Sequence, residues 1–407
     1  MKPTKHQYTV LNQICNQIPA FLVTKLAKKY RIDRQARSFS PWSHIVSMLH
    51  LHLAHSLSLN DVADTLRNHC GVLKTIRNAT PPSRNGLSHA NRTRDPAMAE
   101  DLFWQVLSHI KSKFPNFGYG HRYSGLPRRF KRAIYAVDST TIQLVANCID
   151  WAKHRRRKAA AKCHMQLNLQ TFLPNFAIVK KASTHDSTEA YSLCSNLKDG
   201  EIVVFDKAYV DFEHLYQLHS RGVFWVTRAK ENMKHRVIRN NTPAKGNIIA
   251  DYIIELETPK SKEAYPQQLR LVVADVEVDG KVRTMSFITN NTDWAPSSIC
   301  DLYKSRWGVE VFFKQIKQTL QLSDFLGHSQ NAILWQVWMA LLAYILIRFI
   351  SYIGDWKGSF SRLFTLLRGV LFSRLDAFSV MEACGTARGS PRMISCPQRA
   401  YLPGFEP

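Results

Sequence analysis

Apolar positions in the first 120 residues recur at intervals of three and four. Leu11, Ile14, Ile18, Phe21, Leu22 and Leu26 form one series, and Ile45, Met48, Leu49 and Leu53 another. This is the spacing of helices that bury one face. Ser58-Leu-Asn-Asp61 sets an acid three residues after a serine, a weak capping box, and opens a helix with Val62 and Leu66 on one side. After the turn-forming Ala79-Thr-Pro-Pro-Ser83 comes SRNGLSHANRTR, a polar helix ending at Arg94. Two short helices about a Pro-containing turn, the second rich in Arg, Asn and His, fit a helix-turn-helix reader of DNA. A plain helical bundle with a solvated polar face fits the same residues equally well.

Residues 115–130 are rich in Gly, Pro and Arg and read as a linker, after which the pattern changes. AIYAVD (133–138), HMQLNLQ (164–170), FAIVKK (176–181), EIVVFD (201–206) and VFWVTR (223–228) read as strands. Helical stretches, Ser187–Leu197 and Phe212–Ser220, separate the third strand from the fourth and the fourth from the fifth. Three strands followed by helix–strand–helix–strand is the element order of an RNase H-like domain, although periodicity alone supports only mixed α/β. Residues 229–290 break that order: DYIIELE and LRLVVADVEVDG alternate as strands and predict a β-rich insertion. From Ala295 the chain is helical to about Cys384, and the tail GTARGSPRMISCPQRAYLPGFEP reads as extended. AILWQVWMALLAYILIRFI (332–350) is long and apolar enough to resemble a membrane span. Its Gln336 and Arg348, and the basic chain around it, favour a helix buried on several sides, so no membrane partner is expected. No internal repeat is present.

With 407 residues and 45% hydrophobic residues, the chain can fill one large core or two to three modest domains. Charge adds more: 55 Lys+Arg against 31 Asp+Glu leave +24, with a sequence pI near 9.8. A surplus of this size suits a protein held against a polyanion, because each cation placed on a phosphate releases counterions. The eight cysteines, Cys15, Cys70, Cys148, Cys163, Cys194, Cys300, Cys384 and Cys396, contain no CxxC pair and read as reduced thiols of a cytosolic protein. The amino terminus lacks the apolar core of a signal peptide.

Two aspartates share one local setting, Asp138 ending the strand AIYAV and Asp206 ending EIVVF. Carboxylates at strand ends project into the crevice where open α/β sheets bind ligands, and on neighbouring strands they could share a hard divalent cation such as Mg²⁺. Each aspartate taken singly also reads as an ordinary cap. In DLYKSRWGVEVFFKQIKQTL (301–320), a helix would align Tyr303, Arg306, Glu310 and Lys317 on one stripe and bury Val309, Phe312, Phe313 and Ile316 on the other. Such a stripe alone reads as a solvated face as readily as an active site. His185 and Asp186 invite a hydrolase reading, but no nucleophile elbow accompanies them.

YKSRWGVEVFFKQIK matches Y-x(2)-R-x(3)-E-x(6)-K, and the chain thereby resembles one subgroup of bacterial insertion-sequence transposases of the DDE class, the family numbered four. Asp138 stands in VDSTT and Asp206 in FDKAYVD, and FITNN (287–291) leads into the signature helix. The aspartates are 68 residues apart and Glu310 follows Asp206 by 104, room for the β insertion of this family. WAKHRRRKAAAKCH (151–164) resembles its basic stretch, and SLNDVADTL with SHANRTR resembles a domain often fused to such enzymes. The resemblance covers about residues 10 to 350. Two departures are small: Ala208 where relatives often carry glycine, and KAAAKCH in place of a Gly-containing form.

The resemblance implies a cut-and-paste transposase that cleaves transposon ends and joins them to target DNA. Asp138, Asp206 and Glu310 would hold two Mg²⁺ ions, with Mn²⁺ able to substitute. Tyr303, Arg306 and Lys317 would contact phosphates near the scissile bond. Arg128, Arg129, Lys131, Arg132, Arg155, Arg156, Arg157 and Lys158 bracket the first catalytic strand and are candidates for tracking the DNA backbone, a solvated surface run being the alternative. Trp225 and Trp294 could stack on an unpaired base, although Trp225 sits in an apolar strand and reads better as core. The expected layout is a helical DNA-end-binding domain (1–120), a basic linker (121–132), an RNase H-like core (133–228), the β-rich insertion (229–290), the catalytic and C-terminal helices (291–385) and a tail (386–407). The expected partners are double-stranded DNA and a second copy of the chain, with no small-molecule substrate, in the bacterial cytoplasm on nucleoid DNA. A catalytically silent DNA-binding derivative and an RNase H-like nuclease without strand joining are the competing readings.

Overall fold

The computed structural model describes residues 2–32, 39–119, 130–144, 153–154, 158–181, 186–241, 246–278, 281–320 and 329–384. Among the described residues the chain opens with the helices α1 (Val10–Cys15), α2 (Ala20–Lys29), α3 (Pro41–Ala54), α4 (Leu59–Asn68), α5 (Cys70–Thr75), α6 (Arg84–Thr93) and α7 (Ala97–Lys113). Ser58 Oγ accepts from the Asp61 amide at 3.1 Å, the cap read from the sequence. Leu11, Ile14, Ile18, Leu22 and Leu26 are buried as expected, but Phe21 is 59% exposed. Pro19 caps α2 and ends the run from α1, so the two helices do not share one phase and Phe21 turns outward. The pair proposed to form a helix-turn-helix is not joined by a tight turn, because α5 intervenes; α4 and α6 still meet, with Arg84 Nη2 3.1 Å from Asp64 Oδ2.

Next come β1 (Ile134–Leu144), β2 (Lys153–His154), β3 (Lys158–Asn168), β4 (Leu173–Lys181), α8 (Asp186–Leu193), β5 (Ile202–Phe205), α9 (Phe212–Ser220) and β6 (Phe224–Arg228). β7 (His235–Asn240), β8 (Ile248–Leu256), α10 (Pro259–Ala264), β9 (Leu269–Val278) and β10 (Lys281–Thr289) follow. All ten strands belong to one sheet of order β2-β3-β1-β5-β6-β10-β9-β8-β7, with β4 also on β3. β1, β5 and β6 are parallel neighbours, whereas the β1–β3, β3–β4 and β6–β10 pairs are antiparallel. The β-rich stretch after β6 is therefore a continuation of the central sheet. β10 returns to β6 through Phe287, Ile288 and Thr289, and β9, β8 and β7 add outward from it.

Strand alternation gives the sheet two apolar faces. Tyr135, Val137, Val203 and Phe205 pack beneath α8 and α9. Ile134, Ala136, Ile202, Val204, Val226 and Phe287 face the other way, into a core shared with the amino- and carboxyl-terminal helices. On that side lie α11 (Pro296–Ser305), α12 (Trp307–Lys314), a π-helical turn (Gln315–Thr319), α13 (Gln330–Ile353), α14 (Phe360–Gly369) and α15 (Ala377–Cys384). The membrane-like stretch is α13, and 94% of its most apolar window is buried inside the protein. It is apolar all round because it is surrounded. His52 of α3 meets the Gln336 carbonyl at 2.9 Å, Trp335 Nε1 donates to Arg94 O at 3.1 Å, and Arg348 donates to Thr171 O at 3.2 Å. The amino-terminal helices thus share one core with α13 and the sheet.

Candidate active site

The last β1–β5 pair is Val137 with Phe205, and the last β5–β6 pair is Phe205 with Thr227. Asp138, Asp206 and Arg228 therefore stand one residue further on, side by side at the carboxyl edge of three parallel strands. Asp138 does not end its strand as the sequence suggested. β1 runs on to Leu144 as a ribbon paired with β3, and only its parallel partner stops at Phe205. By alternation Asp138 follows Ile134 and Ala136 onto the face covered by the carboxyl-terminal helices.

Those helices bring the third carboxylate. The predicted single helix over 301–320 is instead α11, a break at Arg306, α12 and the π turn. Around the break the amides of Arg306 and Val309 each donate three residues back, to Tyr303 O and Arg306 O at 3.0 Å. The tightened turn aims the polar side chains at the sheet. Gly308 packs so closely against the turn after β3 that an added Cβ would stand 3.0 Å from Leu169 Cδ2. Val309, Phe312, Phe313 and Ile316 are buried, as the spacing predicted.

On the polar side, Arg306 Nη1 donates to Asp138 Oδ2 at 2.9 Å and Nη2 to Glu310 Oε1 at 2.6 Å. Tyr303 Oη donates to Asp206 Oδ1 at 3.1 Å, and its ring rests on Phe287 at a centroid distance of 4.9 Å. Lys317 Nζ donates to the Thr141 carbonyl at 2.7 Å, further along β1. The three acids, Tyr303 and Arg306, separated widely in sequence, thus lie in one half-buried constellation, with Lys317 further along β1.

Burial raises the Asp138 carboxyl to about 6; Arg306 and the Ser139 amide at 2.8 Å oppose this, while Glu310 and Asp206 add to it. Burial likewise pushes the Tyr303 phenol up to about 12, keeping it a donor at neutral pH. For Arg306, burial favours the neutral form, but Tyr303, Asp138 and Glu310 outweigh it and raise its pKa. Burial lowers that of Lys317.

Neighbouring carboxylate oxygens are the donors a hard divalent ion prefers. The mutual charge repulsion felt at Asp138 is what such an ion would relieve, so the residues fit the group. They do not form a ready cage: among the described residues no three His, Cys, Asp or Glu stand close enough to bind one metal, and the Arg306 guanidinium lies between Asp138 and Glu310.

Other expected residues fall elsewhere. Lys131 and Arg132 are exposed at the amino end of β1, where Arg132 donates to Gly200 O at 3.1 Å. Strand direction puts them at the opposite sheet edge from Asp138. Arg128, Arg129, Arg155, Arg156 and Arg157, with His185 and the tail from 385, lie outside the described residues, and Lys158 begins β3. Trp225 is fully buried, and Trp294 packs edge-on against Phe130. Sequence reading missed two residues. Trp307, beside Arg306, is 61% exposed, which helix periodicity could have flagged. Arg228 lies in the carboxylate row and lowers the Tyr303 pKa, and only strand register reveals it.

A family profile described as "Transposase DDE domain" matches residues 129–346, more than half of the chain, and a domain of unknown function matches residues 6–76. A putative transposase of Sinorhizobium fredii is 27% identical over 305 residues, 74% of this chain and 80% of its own length. A probable insertion-sequence transposase of Geobacillus stearothermophilus is 27% identical over 54% of this chain and 58% of its own. The Escherichia coli transposase InsG, of insertion sequence IS4, is 26% identical over 45% and 42%. Among solved structures, a piggyBac transposase synaptic complex with hairpin DNA is similar at a TM-score of 0.44 and 10% identity, covering 92% of this chain and 80% of that one. The profile spans both aspartates, the signature helices and the sheet that joins them, and the chain belongs to the family of transposases that carry the DDE domain.

Proposed function

We propose that the chain is a cut-and-paste transposase of the insertion-sequence type, with Asp138, Asp206 and Glu310 as its metal-binding catalytic triad. The observation that carries this reading is the convergence of the three carboxylates on Arg306 and Tyr303 at one sheet edge. The strand order β4-β3-β1-β5-β6, antiparallel on one side and parallel on the other, supports an RNase H-like catalytic core with β7–β10 as its β-rich insertion. When bound, two Mg²⁺ ions, or Mn²⁺ in their place, supply activation of an attacking oxygen and neutralisation of the leaving one.

The chain's own residues do the positioning. Asp138 and Asp206, fixed by strands of the sheet, and Glu310, fixed by α12, present oxygen atoms from two layers. Arg306 has the forked geometry for a phosphate, and Tyr303 donates a hydrogen bond at neutral pH. Lys317 supplies a point charge on the β1 side. The +24 surplus favours DNA along the surface, with residues 1–120 reading the transposon ends and two copies of the chain synapsing them in the bacterial cytoplasm.

The test incubates purified protein with Mg²⁺ and DNA carrying the ends of its own element, and looks for those ends joined into a plasmid. Joined product is expected, and Asp138→Ala should abolish cleavage while DNA binding survives. Cleavage without joining would move the protein to the nucleases, and an Asp138→Ala protein that cuts as well as its parent would sink the triad.

A further inference from the structure

Beyond the carboxylate row, the sheet carries a second feature at the same edge. β10 pairs with β6 only through Phe287, Ile288 and Thr289, whereas its ladder with β9 runs from Lys281 to Thr289. The β8–β9 ladder stops at Ala274. Past a root where Asp275 N donates to Asn247 O at 2.8 Å and Ala229 N to Ser286 O at 2.9 Å, residues 276–278 and 281–285 therefore overhang both neighbours as a two-stranded ribbon. Because β10 is antiparallel to β6, the overhang points past Arg228, off the edge where Asp138 and Asp206 lie. From Lys281 to its root at Ser286 it extends about 17 Å at 3.3–3.4 Å per residue.

The two faces of this ribbon differ in charge. Phe287, on which Tyr303 packs, belongs to the active-site face, and Met285 continues it into the same core. By alternation Arg283 and Lys281 come next on that face, opposite Val276 and Val278. The acids of the ribbon, Asp275 and Glu277, pair with Thr284 and Val282 on the reverse face, where Thr284 Oγ1 donates to Asp275 at 2.7 Å. Lys281, Val282, Arg283 and Thr284 are all exposed. Among the described residues neither Lys281 nor Arg283 has an ion-pair partner.

A cationic line thus runs from Arg228 through Arg283 to Lys281, on the face of the reacting groups and leading away from them. We propose that the β9–β10 ribbon is a DNA-contacting arm whose Arg283 and Lys281 hold phosphates of the duplex flanking the scissile bond. Charge complementarity names the occupant: a face that among the described residues carries cations only, continuous with the proposed phosphodiester-cleaving site, suits a polyanion, and the described acids lie on the far side. This rests on the proposed triad, whose test is separate.

The experiment measures binding of a fluorescein-labelled duplex of arbitrary sequence by anisotropy over a series of salt concentrations. With Lys281→Gln and Arg283→Gln together, the slope of log affinity against log salt should become shallower by about 2, close to 0.9 for each phosphate no longer held. Asp275→Asn with Glu277→Gln, on the reverse face, should leave the slope unchanged. Thermal melting of both variants should match the parent, since every substituted side chain is at the ribbon surface. An unchanged slope in the Lys281/Arg283 variant, or equal slope changes in both variants, would overturn the arm while leaving the triad intact. An Asp138→Ala protein that still cleaves would sink the triad and leave the binding result standing.

Discussion

Arg306 Nη1 lies 2.9 Å from Asp138 Oδ2 while its other terminal nitrogen holds Glu310, so one guanidinium neutralises two acids where a cation would bind. Its Nε is buried without a hydrogen-bond partner, which leaves the side chain incompletely satisfied in this pose. If the proposed divalent ions sit on Asp138 and Glu310, Arg306 competes with them for both carboxylates. In Arg306→Ala we expect tighter Mn²⁺ binding by calorimetry in the absence of DNA, together with slower cleavage. Without metal the variant should lose stability, by less than the ~3–5 kcal/mol of a fully buried pair, because the two acids it leaves unpaired are only partly buried. Unchanged Mn²⁺ affinity would show that the guanidinium does not occupy the ion's place.

Asp138 supplies a pH test. Its carboxyl is raised to about 6 when folded, chiefly by burial, so the folded state binds the proton more tightly than the unfolded chain does. Stability is then gained as pH falls from above 6 toward 4, and the full penalty, about 3 kcal/mol for roughly two pKa units, applies above 6. Asp138→Asn removes the charge. In a chelating buffer this variant should melt above the parent at pH 8, and the gap should close by pH 4. A gap of equal size at both pH values would mean that the Asp138 charge is not strained in the fold.

How far these residues were legible in the sequence follows from which periodicities are local. The strands leading into Asp138 and Asp206 could be read because apolar, partly β-branched runs precede both aspartates, and Val309, Phe312, Phe313 and Ile316 announce their buried face by spacing. The continuation of β1 past Asp138 could not be read, since it depends on pairing with β3, whose Lys158–Cys163 half is basic and alanine-rich. The break at Arg306 was equally hidden, because every residue from Asp301 to Lys317 except Gly308 is acceptable in one helix. Arg132 shows the opposite error: nearness to Asp138 along the chain became distance in space once the strand was extended.

Tyr303 separates hydrogen bonding from packing. Tyr303→Phe keeps the ring against Phe287 and under Arg306, whose guanidinium lies 5.6 Å from the ring centroid, but loses the donor to Asp206. Stability should fall by no more than about 1 kcal/mol, while single-turnover cleavage should fall tenfold or more. Phe287→Ala should cost both, with about 3–5 kcal/mol of stability lost from the emptied core site. Wild-type cleavage by Tyr303→Phe would assign the residue to packing alone.

The route by which β8 and β9 support the active site runs through Arg270. Its Nε and Nη2 meet the two oxygens of Asp251 at 2.8 and 2.7 Å, both residues are buried, and Nη1 donates to the carbonyls of Thr292, at 3.0 Å, and Trp294. Those carbonyls belong to the segment between β10 and α11, the helix that carries Tyr303. Arg270→Met alone should be strongly destabilising, by about 3–5 kcal/mol, since Asp251 is left buried and unpaired. Adding Asp251→Leu should recover most of that stability, because an apolar pair can replace a buried ion pair. It should not recover activity if the carbonyl contacts orient α11: the double variant would melt near the parent temperature yet cleave slowly, with DNA affinity unchanged. A double variant that regains both stability and cleavage would make the ion pair a matter of folding alone.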